Sequence, residues 1–164
     1  MNILKGVVFF IGLFVLSRLI PHAPNFTPII ASVIFLPFII KSKFGLGLPI
    51  AVMLISDLII GFHSAMFWVY GAFILIGLMA YIFYRPGFSR VLSLAIISPT
   101  IFFLITNFGV WIGSSLYELN LTGLLTAYTF ALPFFANSLF ASVLFSLSFF
   151  SIFKFVNRRD PVVS

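Results

Sequence analysis

Long apolar runs with very few charges between them constrain this chain more than any other feature. Of its 164 residues, 62% are hydrophobic and only 7% are charged. Soluble domains carry about 25% charged residues and about 45–50% apolar ones, because their surfaces must be hydrated. The composition therefore excludes an ordinary soluble domain and predicts a membrane protein whose main partner is the lipid bilayer.

The apolar runs predict an all-α fold, a multi-pass membrane protein built as a compact bundle of six transmembrane helices. A spanning helix needs about 20 mainly apolar residues, and Pro, Gly and charged residues mark its ends. Because Pro133 divides the last apolar region, residues 121–131 are predicted to form a short helix or a re-entrant segment. Residues 1–156 would form one domain, followed by a polar cytoplasmic tail over 157–164. The predicted spans are roughly 3–20, 28–41, 46–62, 65–84, 90–111 and 133–154.

Basic residues are distributed unevenly between the two sides of this predicted bundle. Six spans place both termini on one side, and the side richer in Lys and Arg is cytoplasmic. Only Arg18 falls on the outer side, so we expect the N- and C-termini to be cytoplasmic. The basic residues form no continuous stripe, so no nucleic-acid partner is predicted. Those on the inner side are Lys5, Lys41, Lys43, Arg85, Arg90, Lys154, Arg158 and Arg159.

The segment 18–28, between the first two spans, is polar and dense in proline. Pro21, Pro24 and Pro28 remove backbone donors and hold the chain extended, so a helix cannot continue through this segment. Apolar runs lie on both sides of it. We therefore expect a stiff loop that the rest of the chain places over the outer end of the bundle.

Polar and aromatic side chains collect at the same outer level of the predicted bundle. A carboxylate within a span costs about 2.5–3.5 kcal/mol on insertion scales, and such groups usually face an interior and find a partner. Arg18 has the opposite charge at the same depth, so we expect it to pair with Asp57. We predict that this cluster binds a small-molecule substrate. Its members are Arg18, His22, Asn25, Asp57, His63, Trp68, Asn107, Trp111, Tyr128 and Asn137.

Most members of this cluster also have a purely structural interpretation. Trp68 and Trp111 are typical of the aromatic belt at a membrane interface. Asn107 and Asn137 are typical of hydrogen bonds between packed helices. The alternative function is therefore a structural or assembly membrane protein that has no small ligand.

Motifs for catalysis and cofactor binding are missing from the sequence. It contains no GxxxxGK[ST], HExxH or GxSxG motif. His22, His63 and Asp57 lack the spacing of a compact metal site. We therefore expect no enzymatic activity, no cofactor and no resident metal; an intramembrane enzyme would have to rely on these three residues.

Four segments form a recognisable pattern: 18–28 (RLIPHAPNFTP), 56–63 (SDLIIGFH), 106–111 (TNFGVW) and 132–138 (LPFFANS). Together they resemble a small bacterial family of membrane proteins assigned to transport. That family is similar to the substrate-binding S components of energy-coupling-factor (ECF) transporters, which take up vitamins and related micronutrients. The resemblance covers nearly the whole chain.

The resemblance implies a six-helix, S-component-like fold in the bacterial inner membrane, with the substrate in an outward-facing pocket under the loop 18–28. The ten clustered residues would then bind a vitamin or a similar micronutrient. S components work with a transmembrane coupling subunit and ATPases. Many carry two alanines four residues apart in the first span. No such pair occurs in residues 3–20, so coupling to such a module and independent action both stay open.

Overall fold

The structure is a computed structural model that describes residues 3–40, 44–62, 64–83 and 87–157. Within these ranges the chain is helical and has no β-strand, which confirms the predicted all-α class. Five predicted cytoplasmic cations (Lys41, Lys43, Arg85, Arg158 and Arg159) and the tail from 158 onward lie outside the described residues. The helices are α1 (Ile3–Leu19), α2 (Ile29–Ile40), α3 (Phe44–Ile60), α4 (Met66–Ile82), α5 (Phe88–Gly113) and α6 (Leu121–Asn157).

Helix α2 lies at the centre of the bundle. Every residue from Ile30 to Ile39 is buried, and α2 contacts each of the other helices. With 12 residues it is about 18 Å long, much shorter than the roughly 30 Å hydrocarbon core of a bilayer. Because the surrounding helices shield it, α2 does not have to match that thickness.

The last apolar region forms one continuous helix, α6, and the predicted division at Pro133 is wrong. Proline removes one backbone donor, and a helix in water usually ends there. Here the small side chains of Ala127 and Ala131 are buried, and α6 packs along much of α5. Ending the helix at this point would leave further backbone groups without partners in apolar surroundings, which costs more than the single bond lost at Pro133.

Two of the helices, α5 and α6, have the length and composition of membrane spans. The most apolar windows of α5 and α6 are only 33% and 28% buried within the protein. A core helix of a soluble protein would be mostly buried, whereas these helices expose large apolar side chains such as Leu104, Phe130 and Phe140. The apolar helices α1 to α4 are shorter, at 12–17 residues each.

The two ends of the bundle differ in composition. Residues 20–28 connect α1 to α2 at one end, here called the loop end, and the polar side chains described below lie there. Towards the opposite end, the described parts of α1 and α6 make no close backbone contact. A cavity of about 180 Å³, the apolar cavity, lies between them, with α2 as its floor. It is lined by Phe9, Phe10, Phe35, Ile39, Phe149, Ile152 and Phe153.

Candidate functional site

An ion pair between Arg18 and Asp57 lies at the loop end, as the sequence predicted. Arg18 is in the last turn of α1, and its guanidinium donates to one carboxylate oxygen of Asp57 in α3. The hydroxyl of Tyr70 in α4 donates to the other oxygen at 2.6 Å. Asp57 has no exposed surface, and the Arg18 side chain is 13% exposed. Both oxygens of this buried carboxylate are therefore satisfied, as a buried charge requires.

Local sequence explains why Asp57 faces the interior. Met53 lies four residues before Asp57 and Ser56 lies one residue before it, and both are buried with Asp57 on one face of α3. Gly61 ends the helix with a φ of 106°, a left-handed conformation that glycine adopts without strain, and its N–H donates to the Asp57 carbonyl oxygen at 2.9 Å. The chain then turns into α4, which brings Tyr70 alongside Asp57.

A cavity of about 320 Å³, the polar cavity, lies in front of this ion pair. Arg18 forms part of its wall, whereas Asp57 lies behind Arg18 and does not line it. Side chains of all six helices contribute to the wall. The polar lining consists of Ser17, Arg18, His22, Asn25, Thr27 and Ser138, and the apolar lining of Ile29, Ile30, Met53, Ile60, Val69, Phe73 and Phe102.

The loop over the polar cavity is folded and attached to α6. The Phe26 N–H donates to the Ala23 carbonyl oxygen at 3.0 Å, and Asn25 adopts a φ of 60°, which asparagine tolerates better than most residues. The Asn137 side-chain amide donates to the Pro24 carbonyl oxygen at 3.0 Å. Two phenylalanine rings of α6 pack against Phe26. Those rings belong to Phe140 and Phe145, with centroids 6.0 and 5.9 Å from that of Phe26.

His22 and Asn107 extend the polar surface around the cavity. His22 Nδ1 donates to the Ile20 carbonyl oxygen at 2.7 Å, because a carbonyl can only accept. Asn107 Nδ2 donates to the Phe103 carbonyl oxygen at 2.8 Å. Asn107 lines a smaller hollow of about 80 Å³ that shares Asn25 with the polar cavity. Arg18, His22, Asn25 and Asn107 thus surround two adjoining hollows.

Three predicted aromatic site residues do not line the polar cavity. Trp68 packs so closely on Gly109 that a methyl group there would collide with the indole. Trp111 Nε1 donates to the Glu118 carbonyl oxygen at 3.0 Å, and the Tyr128 hydroxyl donates to the Leu104 carbonyl oxygen at 2.7 Å. The polar atoms of Trp111 and Tyr128 therefore hold a loop and a helix in place, and Trp68 packs α4 on α5.

The remaining predicted residues have different positions. Asn137 contacts the loop rather than the cavity wall, and His63 lies outside the described residues. Within the described ranges, no group of three His, Asp or Glu side chains could hold a metal ion.

Sequence reasoning missed Tyr70 and the apolar wall residues such as Phe73 and Phe102. An apolar wall residue has no sequence signal that separates it from a core residue. Tyr70 had one: it is a tyrosine in an apolar helix that follows Asp57 after one short turn. A buried hydroxyl in such a position usually finds a polar partner.

The chain belongs to DUF6580, a family of unknown function, whose family model matches residues 2–163. No curated protein and no solved structure matches the chain.

Proposed function

We propose that this protein is a six-span membrane protein that binds a small solute in the polar cavity as a step in its uptake. The observation that supports this most is the charged pair at the cavity wall. A charge within a bundle of apolar helices is costly, and in membrane proteins such groups usually mark substrate pathways. Here Arg18 reaches the wall of a lidded cavity of about 320 Å³, which is within the usual range of about 300–1,000 Å³ for small-molecule sites.

The lengths and surfaces of the helices support the six spans that we propose. α1, α3 and α4 have 17 residues each, about 25 Å, and a local thinning of the bilayer accommodates that length at modest cost. Large apolar side chains on them, such as Ile55, Ile59 and Phe67, face outward. The loop end would face the exterior and both termini the cytoplasm, since Arg90 and Lys154 belong to the opposite end.

The proposal includes a likeness to ECF S components. An outward-facing cavity under the loop between the first two helices is what such a protein would need, and a vitamin or similar micronutrient is the substrate class that we propose. α1 contains no alanine, so the alanine pair that many S components use for docking is absent. We therefore propose solute binding for this chain and assign no coupling subunit to it.

A structural or assembly role is the second candidate, and one observation favours it. The polar side-chain atoms of Trp111, Tyr128 and Asn137 all donate to backbone carbonyl oxygens within the protein. Packing alone accounts for these residues. It does not account for a cavity whose wall contains Arg18, His22 and Asn25, so a ligand experiment separates the two candidates.

The experiment is a thermal-unfolding screen of the purified protein in detergent against water-soluble vitamins and their precursors. A ligand present at 100 times its dissociation constant should stabilise the folded state by about 2.7 kcal/mol. Ile60 lines the cavity, whereas its neighbour Ile59 does not, and both are more than half exposed. Ile60→Trp should therefore abolish the stabilisation and Ile59→Trp should retain it. If no compound stabilises the wild type, or if Ile60→Trp responds equally, the proposal is wrong.

A further inference from the structure

The two charges of the ion pair differ in their access to the polar cavity, and this difference affects which ligand the cavity accepts. Among the described residues that line it, Arg18 is the one permanently charged side chain. The compensating charge, Asp57, is fully buried behind it. A ligand in the cavity would therefore meet the guanidinium directly and would meet the carboxylate only through the guanidinium.

The positive charge of Arg18 is already balanced by a partner within the protein. One terminal nitrogen donates to Asp57 and the other contacts the sulfur of Met53. The hydroxyl of Tyr70 donates to the other carboxylate oxygen of Asp57. The pair as a whole thus presents no net charge to the cavity, although a guanidinium has five N–H groups and two bonds leave donors to spare.

These contacts disfavour a charged ligand of either sign. An anionic ligand at the wall would place a second negative charge around one guanidinium, close to Asp57 and away from bulk water. A cationic ligand would meet Arg18 first, because Asp57 has no surface in the cavity. An uncharged hydrogen-bond acceptor, such as an amide oxygen or a ring nitrogen, can take a free N–H of Arg18 without either penalty.

The rest of the wall sets the size and polarity of the ligand. Seven of the thirteen lining residues are apolar, including Phe73 and Phe102, whose rings lie 5.1 Å apart. The volume of about 320 Å³ lies near the lower limit for small-molecule sites. A molecule with one or two fused rings fits this volume, and its apolar faces would contact these side chains.

We propose that the polar cavity selects uncharged, ring-sized molecules that carry a hydrogen-bond acceptor, and that Asp57 sets this charge selectivity without touching the ligand. The inference rests on the proposed solute-binding function and specifies its substrate class. It makes Asp57 a specificity-determining residue that acts through Arg18.

The test uses pairs of probes that differ in charge and little else: nicotinamide and nicotinate, benzamide and benzoate, and indole-3-acetamide and indole-3-acetate. Equilibrium dialysis measures the affinities of these probes for the purified protein. The pH is set to 8 because ordinary histidines are neutral there. The wild type should bind at least one amide about tenfold more tightly than its carboxylate. Asp57→Asn, which keeps the side-chain shape but leaves Arg18 uncompensated, should reverse that preference.

Two further variants are controls for Asp57→Asn, and the wild-type comparison of amide with carboxylate tests the charge selectivity even if Asp57→Asn does not fold. The double variant Arg18→Gln/Asp57→Asn restores a net charge of zero at the site and should retain the preference for the amide. Tyr70→Phe removes the hydroxyl but no charge, so its preference should match that of the wild type.

A carboxylate that binds the wild type as tightly as its amide would overturn the charge selectivity and leave solute binding standing. So would an unchanged preference in Asp57→Asn. If none of the six probes binds any of these proteins, the substrate class proposed here is wrong, whereas solute binding itself is decided by the vitamin screen and the Ile60→Trp variant.

Discussion

Two cavities in this bundle are formed by the same kind of apolar helices, yet their chemistry differs. The apolar cavity is lined only by phenylalanine and isoleucine side chains and offers a ligand no directed hydrogen bond. The polar cavity has the charge of Arg18 at its wall and a loop attached over it. Imperfect packing of helices can produce the first. The second needs charged groups that cost free energy to place among apolar helices, and this cost is the reason that we propose it as the functional region.

The largest expected effect comes from breaking the ion pair that distinguishes the polar cavity. Arg18→Met leaves the fully buried carboxylate of Asp57 without its counter-charge. Removing one partner of a buried pair typically costs about 3–5 kcal/mol. We expect a loss of that size in the free energy of unfolding, measured at equilibrium in mixed micelles.

The double variant Arg18→Met/Asp57→Leu is the control for this prediction. It removes both charges, so it should recover most of the lost stability while it loses the polar wall. If Arg18→Met unfolds like the wild type, the pair does not contribute to stability and the contrast between the two cavities disappears.

A smaller effect on stability is expected where Trp68 of α4 packs on Gly109 of α5. Gly109→Ala would drive a methyl group into the Trp68 side chain, and overpacking of this kind costs about 1–3 kcal/mol. Gly71 in α4 has open space around it, so Gly71→Ala should be stabilising by roughly 0.5–1 kcal/mol. Thermal unfolding of the two variants makes the comparison, and equal shifts would contradict the close packing of α4 on α5.

The attachment of the loop to α6 should contribute less to stability than the packing of Trp68 on Gly109. Asn137→Ala removes the hydrogen bond to the Pro24 carbonyl oxygen, which is worth about 0.5–1.5 kcal/mol. We expect faster amide hydrogen exchange in residues 22–27 and faster ligand dissociation, with little change elsewhere. Unchanged exchange in the loop would show that the phenylalanine contacts of Phe26 hold it without Asn137.

The smallest effect is expected at the opposite end of the bundle. Lys154 lies 6.0 Å from the centre of the Phe150 ring, and a cation–π contact at such an exposed site contributes about 0.5 kcal/mol. Lys154→Met should therefore change the unfolding temperature little and should leave ligand affinity unchanged. A marked loss of affinity in this variant would mean that the opposite end of the bundle takes part in binding.

Much of the fold follows from the sequence, because apolar runs and their interruptions determine where helices form. α1 begins at Ile3 and ends at Leu19, just before Pro21, and α3 ends before Gly61, both close to the predicted limits. The error at Pro133 has a physical reason. Local rules describe a helix in water, whereas α6 packs against α5 in apolar surroundings, where an open backbone costs more than one lost bond.

The geometry around the polar cavity could be predicted in part, and the predicted residues that lie outside its wall have partners within the protein. Opposite charges within apolar helices have few alternatives to pairing, so Arg18 and Asp57 were accessible to sequence reasoning. Trp111 and Tyr128 carry one polar atom each, and a backbone carbonyl satisfies that atom as well as a ligand does. The Asn137–Pro24 bond joins residues 113 positions apart and leaves no local pattern in the sequence.

Cysteine accessibility in intact cells tests the difference between the two cavities most directly. The chain contains no cysteine, so a single introduced thiol is a unique reporter. Ser17 lines the polar cavity and Ile152 lines the apolar cavity. Ser17→Cys should react with a membrane-impermeant methanethiosulfonate reagent added outside the cell, and a bound ligand should slow the reaction. Ile152→Cys should not react, because in the proposed orientation the apolar cavity lies at the cytoplasmic end of the bundle, which a membrane-impermeant reagent outside the cell does not reach. If Ser17→Cys is inert, or if both variants react at the same rate, the polar cavity is not the exterior solute site proposed here.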